Sequence, residues 1–342
     1  MADHTSTDWC NDSAVIDEID SALGSGAIGC TTNPPLTYQV LSNSSAPFAD
    51  DLARIPSDVS GNEKVVELIG VVVRKIADKL EPIYRKSGGK RGFVRAQVAP
   101  NSSADFDTML TTGKIYASWG RNIKVKIPGT TAGIAVLEEL SALGIPTNPT
   151  ICVSVSQMIA AAEANERGME RAIAAGVEPG HSTSAYVLGR LQDYLAVINE
   201  EREAGLSTYD LECAVLAAAK RLNTIFTDRG YRQEIMPAAF RCARHVSELV
   251  GSNMVMTVHP SIQAKVIEAD LAGDIRREPA IENPVDTVAV DRVLRALPEF
   301  VLAYEVDGIA IKDFDEFGAT LMTLDSFDKT GWRKLEAMEI PR

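Results

Sequence analysis

Histidine is scarce in this 342-residue chain: four copies, at positions 4, 181, 245 and 259, with no HxxxH pair among them. Such spacing gives a histidine-rich metal site no support. Cysteine is sparse as well. Cys10, Cys30, Cys152, Cys213 and Cys242 are odd in number and include no CxxC pair. Neither a disulfide framework nor a zinc site is indicated, and a reducing cytoplasm is the simple inference. No GxGxxG follows a strand and no GxxxxGK[ST] occurs, so the glycine-rich loops of common nucleotide sites are missing. No apolar run nears the ~20 residues of a membrane span. The start, Met1-Ala2-Asp3-His4, is polar and acidic and does not read as a secretory signal. Basic charge is in deficit, with 34 Lys and Arg against 47 Asp and Glu and a net charge of −13. A wide nucleic-acid footprint needs the opposite balance. The basic run Arg85-Lys86-Ser87-Gly88-Gly89-Lys90-Arg91 reads as a solvated loop.

What is present is ordinary globular composition, 45% hydrophobic and 24% charged, with enough chain for a large core. It suits one α/β barrel with additions, or two smaller domains. Short β-rich runs alternate with longer helical patterns. Strands are expected at Ala27–Thr31, Phe93–Val98, Ile123–Ile127, Thr147–Val153, Ala185–Leu188, Glu234–Met236 and Met254–Val258, with a weaker first strand near Thr7–Asn11. Helices are expected at Ser13–Leu23, Ser103–Trp119, Thr131–Leu143, Ser156–Arg167, Gly189–Ala204, Ala238–Leu249 and Ser261–Ala272. Asp12-Ser13 and Thr130-Thr131 read as helix N-caps, and Gly24 and Gly144 as stops. About eight such βα units close a parallel barrel. The expected fold is therefore a (β/α)8 TIM barrel over about residues 8–272. A long amphipathic helix over Asn62–Arg85 covers its outside, and a helical extension fills residues 280–342. No linker splits the chain, so 1–342 reads as one domain.

The segment Asn122-Ile123-Lys124-Val125-Lys126-Ile127-Pro128-Gly129-Thr130-Thr131 is the most informative. Ile123, Val125 and Ile127 share one face of a strand, so Lys124 and Lys126 share the other. In a closed barrel that other face is the interior. Burial lowers a lysine's pKa, and the neutral amine is the form that attacks a carbonyl to make a Schiff base. The plainer alternative is a strand-edge lysine that snorkels to solvent. Function in a barrel gathers where strands end. Reading those ends gives Asp12, Thr31-Thr32-Asn33-Pro34, Gln97, Lys126, Asn148 and Thr150, Gly189-Arg190, and Phe240-Arg241. Such a set fits a compact sugar-phosphate site. Lys126 is the nucleophile, with Asp12, Gln97 and Thr150 as the other catalytic candidates and Asp12 moving protons. Thr32, Asn33, Asn148 and Ser184 are substrate-binding candidates, and Arg190 and Arg241 a phosphate clamp. Each has a structural alternative: Asp12 as an N-cap, with Asp8 the fallback acid; Asn33 as turn chemistry; Gln97 as barrel filling; Asn148 and Thr150 as caps; the arginines as surface residues.

These segments resemble a known family. Asp12-Ser13-Ala14 followed by Thr31-Thr32-Asn33-Pro34-Pro35 is similar to the transaldolase opening. Lys126-Ile127-Pro128-Gly129-Thr130 resembles its Schiff-base segment, and Gly144-Ile145-Pro146-Thr147-Asn148-Pro149-Thr150 with Ser156-Gln157 the next strand and helix. Val187-Leu188-Gly189-Arg190-Leu191 and Ala238-Ala239-Phe240-Arg241 resemble the two phosphate-arginine segments. The resemblance spans roughly residues 8 to 260. It implies a class I aldolase mechanism. A ketose phosphate forms an imine on Lys126, Asp12 assists carbon–carbon cleavage, and a dihydroxyacetone unit passes to a second aldose. No metal or organic cofactor is implied, because the protonated imine is the electron sink. The partners implied are sugar phosphates, with no nucleic acid and no membrane, and a homo-oligomer is left open. Three positions depart from the family pattern. Gln97 replaces a glutamate and matches the related fructose-6-phosphate aldolases, Val187 replaces an aromatic, and Ala239 replaces a serine. Release of free dihydroxyacetone, or a sugar-phosphate-binding barrel without turnover, are the alternatives these departures raise. A metal-dependent class II aldolase is disfavoured by the missing histidine cluster.

Overall fold

Short apolar strands separated by amphipathic helices curl into a parallel ring. The computed structural model describes residues 5–275 and 278–340, so the polar start at residues 1–4 lies outside the described residues. The chain begins β1 (Asp8–Asn11), α1 (Ile16–Gly24), β2 (Gly29–Thr31), α2 (Pro34–Asn43), α3 (Ala49–Leu52), α4 (Gly61–Lys86) and β3 (Phe93–Gln97). It continues through α5 (Phe106–Ser118), β4 (Ile123–Pro128), α6 (Thr131–Ala142), β5 (Thr147–Thr150), α7 (Val155–Ala174) and β6 (Thr183–Tyr186). Then come α8 (Leu188–Glu201), α9 (Thr208–Arg229), β7 (Glu234–Pro237), α10 (Ala243–Ser247), β8 (Val255–Val258) and α11 (Pro260–Ala272). The extension carries α12 (Thr287–Ala296), α13 (Pro298–Tyr304), α14 (Gly318–Phe327) and α15 (Arg333–Ala337).

Six strands form one curled parallel sheet in the order β5-β4-β3-β2-β1-β8, and β6 pairs with β7. The two sheets meet side by side. Cys152 bridges to Tyr186, and the Val187 amide donates to the Cys152 carbonyl at 3.0 Å. On the far side β7 packs against β8. The result is a TIM-barrel-like ring with a helical C-terminal extension. The ladder lapses beside β5 for a local reason. Pro149 offers no N–H, and Ile151 just beyond it has φ 58°, a left-handed conformation that a β-branched residue rarely adopts. Both faces of the sheet are buried, as expected when helices cover a parallel sheet. All six residues of β4 are buried, with Ile123, Val125 and Ile127 joined to the main apolar core. Inside the ring, Cys10, Ala185, Met236 and Val255 form a separate small apolar cluster that plugs its middle.

The helices follow the expected pattern with several differences: α2 and α3 lie where none was expected, α10 covers only Ala243–Ser247 of the expected Ala238–Leu249, and three more concern α4, α1 and α9. The long amphipathic helix is α4, and it occupies the crossover between β2 and β3, so it serves as a barrel helix rather than an addition. Helix α1 starts at Ile16 with Val15 as N-cap and no side-chain cap, so Asp12-Ser13 does not cap it. Helix α9, 22 residues long, is a second helix in the β6–β7 crossover, following α8, which lies where Gly189–Ala204 was expected; a capping box of Ser207 and Asp210 opens it. Thr130 does cap α6, accepting from Gly133 N at 3.1 Å. The extension is tied to the first turns of three barrel helices, α9, α7 and α4. Arg292 pairs with Asp210 on α9. Thr320 of α14 accepts from Gln157 Nε2 at 3.2 Å, and the buried Trp332 donates to Asn62 at 2.8 Å. Among the described residues, no helix is long and apolar enough to cross a membrane.

Candidate active site

The C-terminal ends of the strands open on a cavity of about 420 Å³. Asp12, Asn33, Lys126, Thr150, Arg190 and Arg241 all line it, with Thr257, His259, Lys265 and Phe327. Six of the ten residues picked from the sequence thus share one wall-to-wall space.

Lys126 reaches this space because parity turns it inward from β4, in register with Gln97 on β3 and Asn148 on β5. Its Nζ donates to the Thr32 carbonyl at 3.3 Å. Burial pushes the amine down to about 8, the Asp12 carboxylate pulls it back up, and Arg95 adds to the lowering. Near neutral pH such an amine therefore holds a sizeable uncharged fraction, roughly a tenth at pH 7.

Asp12 follows β1 and is held by a hydroxyl relay. Thr31 Oγ1 donates to Asp12 Oδ1 at 2.5 Å, and Thr31 and Thr257 hydroxyls stand 2.5 Å apart. A hydroxyl has one proton to give. With Thr31's committed to the carboxylate, Thr257 is the donor of the second bond. Asp8, the alternative acid, sits at the opposite end of β1 and pairs with Arg91 at 2.8 Å.

Gln97 and Thr150 are buried, and neither the Gln97 amide atoms nor the Thr150 hydroxyl has a hydrogen-bond partner among the described residues. Buried polar groups are rarely left so, and both stand in adjacent strands beside Lys126. Asn148 is fully buried at the same level. Asn33 does double service: its Oδ1 caps α2 by accepting from Leu36 N at 2.9 Å, while the residue lines the cavity. Thr32 turns away, its hydroxyl donating to the Arg95 carbonyl at 2.6 Å. Ser184 is not brought to the cavity either. Its hydroxyl points out of the barrel to Met158 Sδ on α7, 3.2 Å away.

The other end of the cavity is cationic. Arg190 lies under Phe327, its guanidinium carbon 5.2 Å from the ring centroid. Burial, then the neighbouring Arg241, pushes Arg190 below its ordinary value. Arg241 is held by both oxygens of Asp193, with Nε donating at 2.9 Å, and its Nη1 donates to the Ala239 carbonyl at 2.6 Å. Ala239 takes φ 62°, a strained conformation for a non-glycine residue. Its carbonyl passes so close to Gly189 that a Cβ there would stand 1.7 Å away. Only glycine at 189 lets the β7 end approach α8, which sets the two arginines on one wall.

Several site residues were not picked from the sequence. Thr257 has the inward parity of β8, Asp193 follows Arg190 by one helical turn, and Lys265 lies one turn beyond Ser261 on α11. Phe327 comes from the extension, 137 positions beyond Arg190, and no local pattern announces it.

Over residues 9–312 the chain matches the family described as Transaldolase/Fructose-6-phosphate aldolase. Transaldolase 1 of Streptomyces avermitilis is 26% identical over 314 residues, covering 83% of this chain and 82% of the relative. Transaldolase of Neisseria meningitidis serogroup A is 26% identical over 321 residues, covering 87% and 90%. Transaldolase of Thiobacillus denitrificans is 32% identical over 181 residues, covering 52% and 49%. With a match over most of its length, the chain belongs to the transaldolase/fructose-6-phosphate aldolase family.

Proposed function

We propose that the protein transfers a dihydroxyacetone unit from a ketose phosphate to an aldose phosphate through a Schiff base on Lys126. The observation that carries this reading is a buried amine, lowered to about 8, that lines one cavity with Asp12 and with the Arg190/Arg241 pair. The neutral amine adds to the ketose carbonyl, and loss of water gives the iminium. Asp12 takes the proton of the hydroxyl on the carbon beyond the bond to be cut. The carbon–carbon electrons then move into the iminium, the aldose leaves, and an enamine stays on Lys126. The enamine adds to a second aldehyde by the reverse steps, and water releases the ketose. The arginines, which line the same cavity as Lys126, bind the phosphate end.

A second reading is favoured by one residue. Gln97 can hydrogen-bond a water but cannot take its proton. Release of free dihydroxyacetone, as in the aldolase branch of the family, is that alternative. Product analysis with fructose 6-phosphate, with and without erythrose 4-phosphate, separates the two. Transfer predicts product only when the acceptor is present. Free dihydroxyacetone forming as fast without acceptor would replace transfer by cleavage. Borohydride reduction during turnover is expected to fix sugar mass on Lys126, and no fixed mass would leave a binding barrel.

A further inference from the structure

One layer below Lys126 the barrel buries a guanidinium. Arg95 stands on β3 two residues before Gln97, with the same inward parity, and is only 2% exposed. Its hydrogen bonds go to neutral acceptors. Nε donates to Asn148 Oδ1 at 3.3 Å, and Nη1 to the Cys10 thiol at 3.1 Å and the Phe93 carbonyl at 3.3 Å. Burial raises the Cys10 thiol, so it brings no negative charge. A buried cation without a bonded counter-charge is costly to fold around, and an apolar residue of similar volume would be cheaper. The sequence also makes room for it. Gly29 on β2 faces the guanidinium, and a Cβ there would stand 3.1 Å from Nη1 and 2.6 Å from the Phe93 carbonyl.

We propose that Arg95 is a positioning residue for the Lys126 chemistry: it fixes the Asn148 amide for substrate and opposes a second positive charge directly above it. The inference rests on the imine reading of Lys126. A guanidinium can only donate, so the Asn148 atom it touches must be the oxygen. That oxygen also accepts from Thr183 Oγ1 at 3.2 Å. Asn148 Nδ2 is then turned the other way, with one N–H given to the Pro149 carbonyl at 2.8 Å and the second free for a substrate oxygen. Without Arg95 the amide can flip and offer its oxygen instead.

The charge effect follows from what surrounds Lys126. Asp12, just beyond β1, favours the ammonium form, as would Cys30 on β2 were it charged, and Arg95 on β3 opposes it. Burial raises the Cys30 thiol, so it is uncharged near neutral pH, and burial also lowers Lys124, two residues before Lys126 on β4. Arg190, Arg241, His259 and Lys265 face the cavity from farther round its wall. Asp12 and Arg95 are therefore the close charges of opposite sign, and removing Arg95 leaves Asp12 unopposed.

The test is the pH dependence of kcat and kcat/KM, with borohydride trapping in parallel, for the full chain, Arg95→Met and Arg95→Lys. In the unaltered enzyme kcat/KM is expected to rise with pH through about 8, because below that the amine is protonated and has no lone pair. In Arg95→Met this limb should move up by roughly half to one pH unit, and KM should rise by roughly tenfold as Asn148 loses its tether. Arg95→Lys keeps the charge but not the fork, so its limb should stay while KM rises. An Arg95→Met enzyme with limb and KM unmoved overturns the proposal. Should that variant fail to fold, Arg95→Gln, neutral and still able to reach Asn148, is read for the same limb and by the same criterion. Absence of trapping in the unaltered enzyme overturns the imine reading together with this role. Trapping with limb and KM both unmoved overturns the role of Arg95 alone.

Discussion

Strand β4 carries two inward lysines, two residues apart, and the barrel treats them differently. At the open end Lys126 lines a cavity with Asp12, and its amine has a single carbonyl contact, at 3.3 Å. At the closed end Lys124 is packed in. Its Nζ lies 2.7 Å from His181 Nδ1, 3.4 Å from the Thr183 hydroxyl and 4.6 Å from the centre of the Phe93 ring. His181 stacks on that ring and reaches Glu234 with Nε2 at 3.4 Å. Burial lowers both amines. Burial alone therefore does not make a nucleophile. Space for a substrate distinguishes the two ends, and at the open end Asp12 lines that space together with Lys126.

The largest expected effect comes from deleting the open-end amine. Lys126→Ala should lower turnover by several orders of magnitude and abolish trapping, because it removes the buried amine that shares the cavity with Asp12, and the other amine of the cavity, Lys265, is exposed on α11. Trapping that persists in Lys126→Ala and disappears in Lys124→Ala would reverse the comparison. Next in size is the acid. Asp12→Asn keeps the shape and the Thr31 contact but removes the base. The imine should still form and trap, while cleavage slows by roughly 10²–10⁴. Unchanged turnover would leave Asp12 a structural acceptor for the threonine relay.

How much of this contrast was legible in the chain depends on distance along it. The alternation in Ile123-Lys124-Val125-Lys126-Ile127 turned both lysines inward, and all eight strands overlap the runs expected for them, although β6 begins two residues before the expected Ala185–Leu188 and Leu188 already opens α8. Parity could not say which lysine had room. That is decided by His181, Phe93 and Glu234 closing one end, which are residues from three other strands or their approaches. The same periodicity argument extends to Arg95, two positions before Gln97, whose inward direction follows from β3 as Lys126's does from β4. Helix α9 had a readable signal that went unused: Leu211, Ala214, Val215, Ala218 and Leu222 recur at helical spacing behind the Ser207/Asp210 box. Ser184 failed for a period-2 reason. It lies one residue out of phase with Thr183 and Ala185 and so faces the helix layer. Phe327 was beyond any local rule, since only the packing of the extension brings it over Arg190.

A smaller effect sharpens what the open end can do. Gln97→Glu adds a base beside Lys126 without changing size. Burial would hold the new carboxyl neutral, but the neighbouring Arg95 and Lys126 favour its charged form. Transfer relative to release of dihydroxyacetone should rise by roughly three- to tenfold, measured as the ratio of the two products. An unmoved ratio would mean that position 97 does not set the partition.

The smallest effect is expected at the closed end, and it is the most direct check that the end is closed. Burial lowers Lys124 well below its ordinary value and pushes His181 down to about 3, so the imidazole is neutral at pH 7. One arrangement satisfies the contacts: Lys124 donates to His181 Nδ1, and the His181 Nε2–H points to Glu234. Lys124→Met removes that donor at a cost of about 1 kcal/mol. It also removes an amine from a fully buried position and puts a flexible apolar chain against Phe93, a change that offsets such losses at buried polar sites. Stability by urea denaturation should therefore move by no more than about 1 kcal/mol, and turnover and trapping at Lys126 by less than about threefold. A large loss of turnover with intact folding would show that the closed end communicates with the chemistry, and that Lys124 belongs to the working half of the strand.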